Sequence, residues 1–197
     1  MKVLKILGIG LAAIIVLVVG ISFFLPKTYH VERTVSIDAP PAQVHRLTSD
    51  LRNGWPQWEP WSEADDSIVT TYGDVTAGVG ASQSWTSNSG TGALTLTVCD
   101  VAVGVEYDMS FNVDQYISNG KLSYTPTATG TDVMWEMDGD VSGVTGKYFG
   151  LMMDSMVGPM FEQGLDNLKA AAEALPAMEE ETAPEVSAEK AAVDEAA

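Results

Sequence analysis

The chain has 197 residues, carries a formal net charge of −17 at pH 7, and contains a single cysteine, Cys99. Such an acidic surface repels phosphate backbones, which argues against nucleic acid as a partner. A single cysteine excludes an internal disulfide, and we expect Cys99 to act as a small buried apolar side chain.

The first predicted element is an uninterrupted apolar stretch at residues 6–25, ILGIGLAAIIVLVVGISFFL. At about 1.5 Å per residue, a helix of this length spans roughly 30 Å, the thickness of the hydrocarbon core of a bilayer. Lys2 and Lys5 precede it, so the positive-inside rule places the N-terminus in the cytoplasm and the rest of the chain outside. A cleaved signal peptide is the alternative, but its apolar region usually has only about 7–15 residues. We therefore expect residues 1–26 to be a retained membrane anchor.

Alternation of apolar and polar residues predicts a first strand from Thr28, with one charged residue, Arg33, on the apolar face. A short helix over residues 42–47 should follow, because residues 38–41, DAPP, supply a cap and first-turn prolines.

Residues 53–61 read NGWPQWEPW and contain three of the five tryptophans of the chain. The two prolines argue against an α-helix and favour an extended, polyproline-like path, which would set Trp55, Trp58 and Trp61 along one edge. Three interpretations remain open at this point. The indoles plug the core, form a lid over the mouth of a cavity, or anchor the protein at the membrane interface.

Six further strand-like segments follow, at about 67–72, 80–87, 92–98, 104–112, 120–126 and 130–138. Short spacings with turn residues between them, including Ser118-Asn119-Gly120, favour antiparallel hairpins. Alternation gives the sheet one apolar face and one face of Ser, Thr, Glu and Asp. The residues assigned to the apolar face are Ala81, Gln83, Trp85, Leu94, Leu96, Val98, Val105, Tyr107, Met109, Phe111, Leu122, Tyr124, Val133, Trp135 and Met137.

The segment at residues 145–175 has apolar residues at helical spacing, which predicts a long helix that covers the apolar face of the sheet. Gly158-Pro159 should kink this helix or begin a second one, and it separates a methionine-rich part from the regular part. Residues 176–197 are mostly Ala, Glu and Pro, so we expect a disordered acidic tail.

Four spaced motifs resemble one known family. They are APPAQV (39–44), LRN with WPQWEPW (51–61), GTDVMWEMDGD (130–140) and MDSMVGPMFEQGLDNLK (153–169). Together they resemble the SRPBCC superfamily, specifically its bacterial polyketide cyclase/dehydrase-like members with an N-terminal membrane segment. His45 departs from the pattern, since a bulky apolar residue is common there.

This resemblance implies an α+β, helix-grip (START-like) fold for residues 27–175. In that fold a seven-stranded antiparallel sheet wraps around a long C-terminal helix, with a hydrophobic cavity between them. A bacterial inner-membrane location is also implied, with the globular domain on the periplasmic or extracytoplasmic side. Members of the superfamily include carriers, cyclases and regulators, so the function has to be argued from the site.

We expect a hydrophobic small molecule or lipid to contact inward-facing aromatic and methionine side chains. A packed core is the alternative interpretation of the same side chains. The ligand-binding candidates are Trp58, Trp61, Trp85, Tyr107, Trp135, Met137, Met153 and Met156.

Acid–base catalysis needs a titratable group in the cavity, and the inward strand positions are apolar, amide or phenolic. Tyr107, Tyr124 and His45 are therefore only weak catalytic candidates. Two distant histidines and one cysteine argue against a transition-metal site, and we expect no cofactor. The leading hypothesis is a membrane-anchored binding module. The alternatives are a cyclase/dehydrase-like enzyme and a non-catalytic scaffold whose acidic tail recruits an unknown protein partner.

Overall fold

The computed structural model describes residues 2–112 and 116–176. The described chain is built from helices and strands in the following order. They are α1 Lys2–Ser22, β1 Thr28–Ile37, α2 Pro41–Thr48, a 3₁₀ turn Trp55–Gln57, α3 Trp61–Ala64, β2 Val69–Tyr72, β3 Ser82–Ser87, β4 Gly90–Asp100, β5 Gly104–Phe111, β6 Tyr116–Pro126, β7 Thr131–Asp140, α4 Gly143–Gly150 and α5 Met153–Ala174.

The strands make one seven-stranded antiparallel sheet in the order β1-β7-β6-β5-β4-β3-β2. Because β1 and β2 lie at opposite edges, the chain between them crosses the whole width of the sheet through α2, the 3₁₀ turn and α3. α5 packs against β1 and β7, and its buried side chains join those of the sheet in one core. This is the α+β helix-grip fold that the sequence predicted, and the prediction is confirmed.

The sheet has two ends, which we name after the helices beside them. At the α1 end, β1 begins at Thr28 opposite Asp140 of β7, and β5 finishes at Phe111. At the α2 end, Ile37 pairs with Thr131, and α2 follows directly. α5 runs from the α1 end towards the α2 end, where a Glu173 carboxylate oxygen accepts a hydrogen bond from the Asp38 backbone N–H at 2.9 Å.

Two details of the strand prediction were wrong. Ser118-Asn119-Gly120 is not a turn but part of β6, because Gly120 pairs with both Tyr107 and Met137 in the middle of the sheet. A register shift between Leu96 and Val98 is the second difference. One extra residue at such a bulge reverses which side chains face inward. Val98 therefore pairs with outward-facing Glu106, and its predicted place in the core is taken by partly buried Cys99.

The tryptophan-rich segment is not extended, so that prediction was also wrong. Trp55–Gln57 forms a 3₁₀ turn and Trp61–Ala64 a single turn of α-helix. Pro56 fits this geometry because it lies in the first turn of the 3₁₀ helix, where a missing backbone N–H leaves no hydrogen bond unmade.

α5 continues through Pro159, and the interruption lies upstream, at Leu151 and Met152 between α4 and α5. Of the two alternatives expected at Gly158-Pro159, the start of a second helix was therefore wrong. Arg33 explains how the helix is held at this point. Its guanidinium donates hydrogen bonds to Asp154 at 2.8 Å and to Glu162 at 2.7 Å, one on each side of Pro159.

Arg33 also explains the glycine beside that proline. A Cβ atom at Gly158 would collide with the Arg33 guanidinium, so a larger residue there would force this side chain to shift. Arg33, the charged residue on the apolar face of β1, is thus ion-paired with α5.

In α1, the Lys5–Ser22 stretch has a mean hydropathy of 2.5 and is long enough to cross a membrane, and a signal sequence has the same properties. The last turn of α1 contacts α4. The predicted acidic tail at residues 176–197 lies, beyond Pro176, outside the described residues.

Candidate functional site

A cavity of about 260 Å³ lies between the sheet, the first half of α5 and the tryptophan-rich segment. A single water needs only about 10–15 Å³ measured in this way, so the space is much larger than a packing defect. Its strand residues, such as Trp85, Met109, Phe111 and Met137, belong to the half of the sheet nearer the α1 end. The interior is therefore hollow at one end.

The floor of the cavity is shaped by aromatic rings that lie flat over glycines of neighbouring strands. The ring of Tyr107 lies over Gly120, and the ring of Trp85 lies over Gly92, so a Cβ atom at either glycine would collide with the ring. Each glycine thus lets a large side chain lie along the sheet and leave room above it.

The α5 wall repeats every four residues through Met153, Val157 and Phe161. The Phe161 ring stacks on the Trp135 indole with centroids 4.0 Å apart and planes 1° from parallel. This aromatic pair joins helix to sheet at the inner limit of the cavity, beyond which the core is packed.

The tryptophan-rich segment contributes two different kinds of side chain. The Trp55 indole N–H donates to the Thr48 carbonyl at 2.7 Å, and the Trp58 indole N–H donates to the Leu47 carbonyl at 3.3 Å. Trp61 is 36% exposed and meets Trp135 edge-on, with ring centroids 5.5 Å apart. The core interpretation therefore describes Trp58, whereas Trp55 is buried but also borders the cavity and Trp61 lies at its edge.

Six of the eight ligand-binding candidates line the cavity: Trp61, Trp85, Tyr107, Trp135, Met137 and Met153. Trp58 does not line it, since this residue is only 1% exposed and fills the core beneath the 3₁₀ turn. Met156 is also misplaced by the sequence interpretation. It falls between the cavity-facing positions of α5 and is 50% exposed on the outside.

Sequence reasoning missed several lining residues, and the polar ones among them include Glu59, Ser62, Thr70 and Gln83. Alternation had placed Gln83 on the inward face, so this signal was present. The position of Glu59 could not be read from a pattern, because it depends on the turn between the 3₁₀ helix and α3. Its carboxylate accepts hydrogen bonds from the backbone N–H of Trp61 at 2.8 Å and from Ser62, and so holds that turn.

The structure does not bring the three weak catalytic candidates together. Tyr107 lines the cavity, and its hydroxyl accepts a hydrogen bond from the Trp135 indole N–H at 2.8 Å. Burial raises the pKa of Tyr107, so its phenol stays neutral and can donate its hydrogen to a ligand.

Tyr124 and His45 lie instead at the α2 end and are not among the lining residues of the cavity. The Tyr124 hydroxyl bonds Thr48, and burial raises its pKa. His45 packs edge-on against Tyr124, with ring centroids 6.1 Å apart, and burial lowers its pKa. Its Nδ1 atom is buried and has no hydrogen-bond partner within the described ranges.

The outer face of the sheet carries charged groups rather than an apolar surface. His30, Glu32 and Glu136 place one potential metal-ligand atom each within 4.8 Å of the others. His30 Nδ1 also lies 2.8 Å from Asp138, and hydrogen bonds with Asp138 and then Glu32 raise the pKa of His30.

Beside this exposed cluster is a depression of about 250 Å³ bordered by residues such as Glu106, Asp108 and Lys121. Its charged, solvated lining differs from that of the inner cavity, where most side chains are apolar.

The sequence profile of the family described as "Polyketide cyclase / dehydrase and lipid transport" matches residues 28–173. The chain belongs to this family. It is therefore a member of the SRPBCC superfamily, as the resemblance of its motifs indicated. Among curated proteins no significant match is found.

Solved structures share the fold of this family member at low sequence identity. The crystal structure of protein CV1439 from Chromobacterium violaceum has a TM-score of 0.54 at 18% identity, covering 75% of this chain and 99% of the other. The solution structure of KanY protein (ms6282) has a TM-score of 0.55 at 19% identity, covering 74% and 98%. The di-domain ARO/CYC StfQ from the steffimycin biosynthetic pathway has a TM-score of 0.56 at 12% identity, covering 74% and 51%. These similarities show the fold alone.

Proposed function

We propose that this protein is a membrane-tethered module that binds a hydrophobic small molecule or a single-chain lipid in its inner cavity. The observation that carries the proposal is a cavity of about 260 Å³ whose wall is mostly aromatic, aliphatic and methionine side chains. Sites for small ligands are typically concave, apolar and equipped with a few polar groups.

The volume of the cavity restricts the class of ligand. Pockets for drug-sized ligands commonly measure about 300–1,000 Å³, so this cavity is at or just below the lower limit. It suits one acyl chain or a compact ring system better than a phospholipid with two chains. Met109, Met137 and Met153 add flexible side chains, which adapt to irregular apolar shapes.

Polar groups in the wall can orient such a ligand. The Tyr107 hydroxyl and the Gln83 amide both border the cavity, and each can donate a hydrogen bond. A carboxyl, hydroxyl or carbonyl group at one end of an otherwise apolar molecule would find its partner there.

The tether in this proposal is α1, retained in the bacterial inner membrane with the globular domain on the periplasmic or extracytoplasmic side. Support comes from the apolar Lys5–Ser22 stretch and from Lys2 and Lys5 before it. Among the described residues, the core side chains lie between Tyr29 and Leu175, so residues 27–175 are suited to purification without the tether.

Binding is tested with purified residues 27–175 and a fluorescent fatty acid, together with mass spectrometry of extracted lipids. Val157 lines the cavity, so Val157→Trp should fill it and weaken uptake at least tenfold. Met156→Trp is the matched control, because it makes a similar enlargement at the exposed neighbouring position and should leave uptake unchanged. Absence of both co-purified lipid and fluorescent uptake in the unmodified domain would overturn the proposal.

A cyclase/dehydrase-like enzyme is the second candidate function, and the observation that favours it is the Tyr107 hydroxyl inside the cavity. A neutral phenol in an apolar site can donate a hydrogen bond to a developing oxyanion. Tyr107→Phe should then abolish turnover of a polyketide substrate while the domain stays folded. If turnover falls no further than the folded fraction of the domain does, Tyr107 has a structural role.

A further inference from the structure

The protein has an exposed apolar surface where α1 ends and α4 meets α5. We call it the α4 surface, and it comprises Phe23, Phe24, Phe149, Leu151, Met152 and Met156, all of them half exposed or more. Single exposed apolar residues are common in proteins, but a group of large ones on adjoining segments marks an interaction site.

Hydrogen bonds fix the height of α4 along α1. The Lys147 ammonium donates to the Ser22 carbonyl at 2.8 Å, and the Tyr148 hydroxyl donates to the Val18 carbonyl at 2.9 Å. Val18 lies within the apolar Lys5–Ser22 stretch, about 6 Å below Ser22 at 1.5 Å per residue. If the Lys5–Ser22 stretch spans a bilayer, Ser22 lies at the outer boundary of the hydrocarbon core, so α4 lies at that boundary and the Tyr148 hydroxyl reaches about one helical turn below it.

The chemistry of α4 fits that level. Tyrosine is enriched at membrane interfaces, and lysine can keep its charge in water while its stem lies along apolar surface. Tyr148 and Lys147 thus match the boundary between headgroups and acyl chains, and the exposed Phe149 and Leu151 beside them add apolar side chains to the same surface.

The hollow end of the domain lies next to this surface. Met153 borders the cavity and directly follows Met152 of the α4 surface. Phe111 and Met137 place the cavity at the α1 end of the sheet, where the chain arrives from the membrane helix. The cavity and the α4 surface therefore share one end of the molecule.

We propose that the α4 surface docks on the outer face of the bilayer, so that the cavity takes its apolar ligand directly from the lipid phase. This inference rests on the membrane tether of the proposed function. The occupant is the bilayer rather than a soluble partner, because the surface is continuous with α1. Apolar contact should dominate the docking, since a chain with a net charge of −17 gains nothing from anionic lipids.

The test uses the full chain in phosphatidylcholine vesicles that contain a lipid with a nitroxide near its headgroup. Cys99→Ser removes the one native thiol, and single cysteines at 151 and 152 are then labelled with an environment-sensitive fluorophore. Matched control labels replace Val101 and Val103, which are similarly exposed apolar residues in the loop at the α2 end. A further label at Ile15, near the centre of the apolar stretch, is read in vesicles that contain a second lipid with its nitroxide deep in the acyl chain, and it reports whether α1 is in the bilayer.

We expect the nitroxide lipid to quench labels at 151 and 152 at least threefold more strongly than those at 101 and 103. Iodide dissolved in the water should instead quench the labels at 101 and 103 more strongly than those at 151 and 152. If the label at position 15 is quenched but the labels at 151 and 152 are quenched no more than the controls at 101 and 103, the docking is wrong while the tether stands. If the label at position 15 is not quenched, the tether is wrong, and the docking proposal fails with it.

Discussion

The two ends of the core are built differently, although one sheet and one helix run through both. At the α2 end, Val105, Leu122 and Val133 of the sheet are completely buried, and so are Leu168 and Ala172 of α5. At the α1 end the sheet presents Trp85, Met109, Phe111 and Met137, and the cavity lies above them.

The difference follows from what covers each end. α2 is an eight-residue amphipathic helix that packs Val44 and Leu47 onto both the sheet and α5. Towards the α1 end, the covering chain is a 3₁₀ turn and a single helical turn, which cross the sheet without a continuous apolar face. Such a cover closes the surface but does not fill the space beneath it. A binding cavity can thus arise from the choice of connection alone.

The largest expected difference between the two ends is in the loss of stability when a core side chain is truncated to alanine. Leu168→Ala should cost about 2–5 kcal/mol of unfolding free energy, because the packed α2 end cannot collapse around the lost side chain. Met109→Ala should cost less than half as much, since Met109 already borders empty space. Urea denaturation of residues 27–175 measures both values. Equal losses would show that the hollow end is packed as tightly as the other.

Substitutions that enlarge a side chain should also destabilise the packed α2 end more than the hollow α1 end. Ala172→Phe inserts a ring into fully packed space and should cost about 1–3 kcal/mol. Val157→Phe extends into the cavity and should be nearly neutral. The comparison is sharpest by thermal unfolding of the two variants side by side. A large loss from Val157→Phe would mean that the cavity cannot accept even a side chain of this size.

Much of this architecture was predictable, because a sheet with one apolar face leaves a regular alternation of apolar and polar residues in the sequence. The strand prediction placed Tyr107, Trp135 and Met137 inward, and all three border the cavity. Alternation failed at Val98, where one extra residue shifts the register, and no local pattern marks such a bulge.

The covering segment was less predictable, because its conformation depends on tertiary contacts. Nothing local distinguishes Trp58, which is buried under the 3₁₀ turn, from Trp61, which borders the cavity three residues later. α5 continues through Pro159, and Arg33, more than a hundred residues away in the sequence, pairs with carboxylates on both sides of that proline. Proline predicted a kink or the start of a second helix, and these distant contacts to α5 could not be read from the local sequence.

Removal of the two buried phenol hydroxyls should distinguish ligand contact from packing. Tyr107→Phe leaves the Trp135 indole N–H without its acceptor, so it should lower the unfolding free energy by on the order of 1 kcal/mol. It should also weaken binding of a ligand that carries a polar group at one end. Tyr124→Phe is the control at the α2 end, where Thr48 can still bond the Val44 carbonyl. It should cost less stability and leave ligand uptake unchanged. Similar uptake by both variants would argue against a role of Tyr107 in orienting the ligand.

The smallest effect should come from His45, at the rim of the packed end. Burial lowers the pKa of His45, so the unfolded chain binds a proton at a higher pH than the folded domain does. This contribution to stability is therefore complete above the unfolded value of about 6.5 and is lost as the pH falls through the lower native pKa. His45→Leu should remove that pH dependence. It should also stabilise the domain at pH 7 by up to about 1 kcal/mol, because a buried nitrogen without a partner disappears.

His30 must be separated from this effect, because its raised pKa gives a contribution of the opposite sign, which is lost as the pH rises. Since His30 is present in both proteins, its contribution cancels in the difference between the unmodified domain and His45→Leu. That difference, measured by urea denaturation between pH 5 and 8, should shrink as the pH rises. A difference independent of pH would show that His45 titrates alike in the folded and unfolded chains, and that the packed end does not desolvate it.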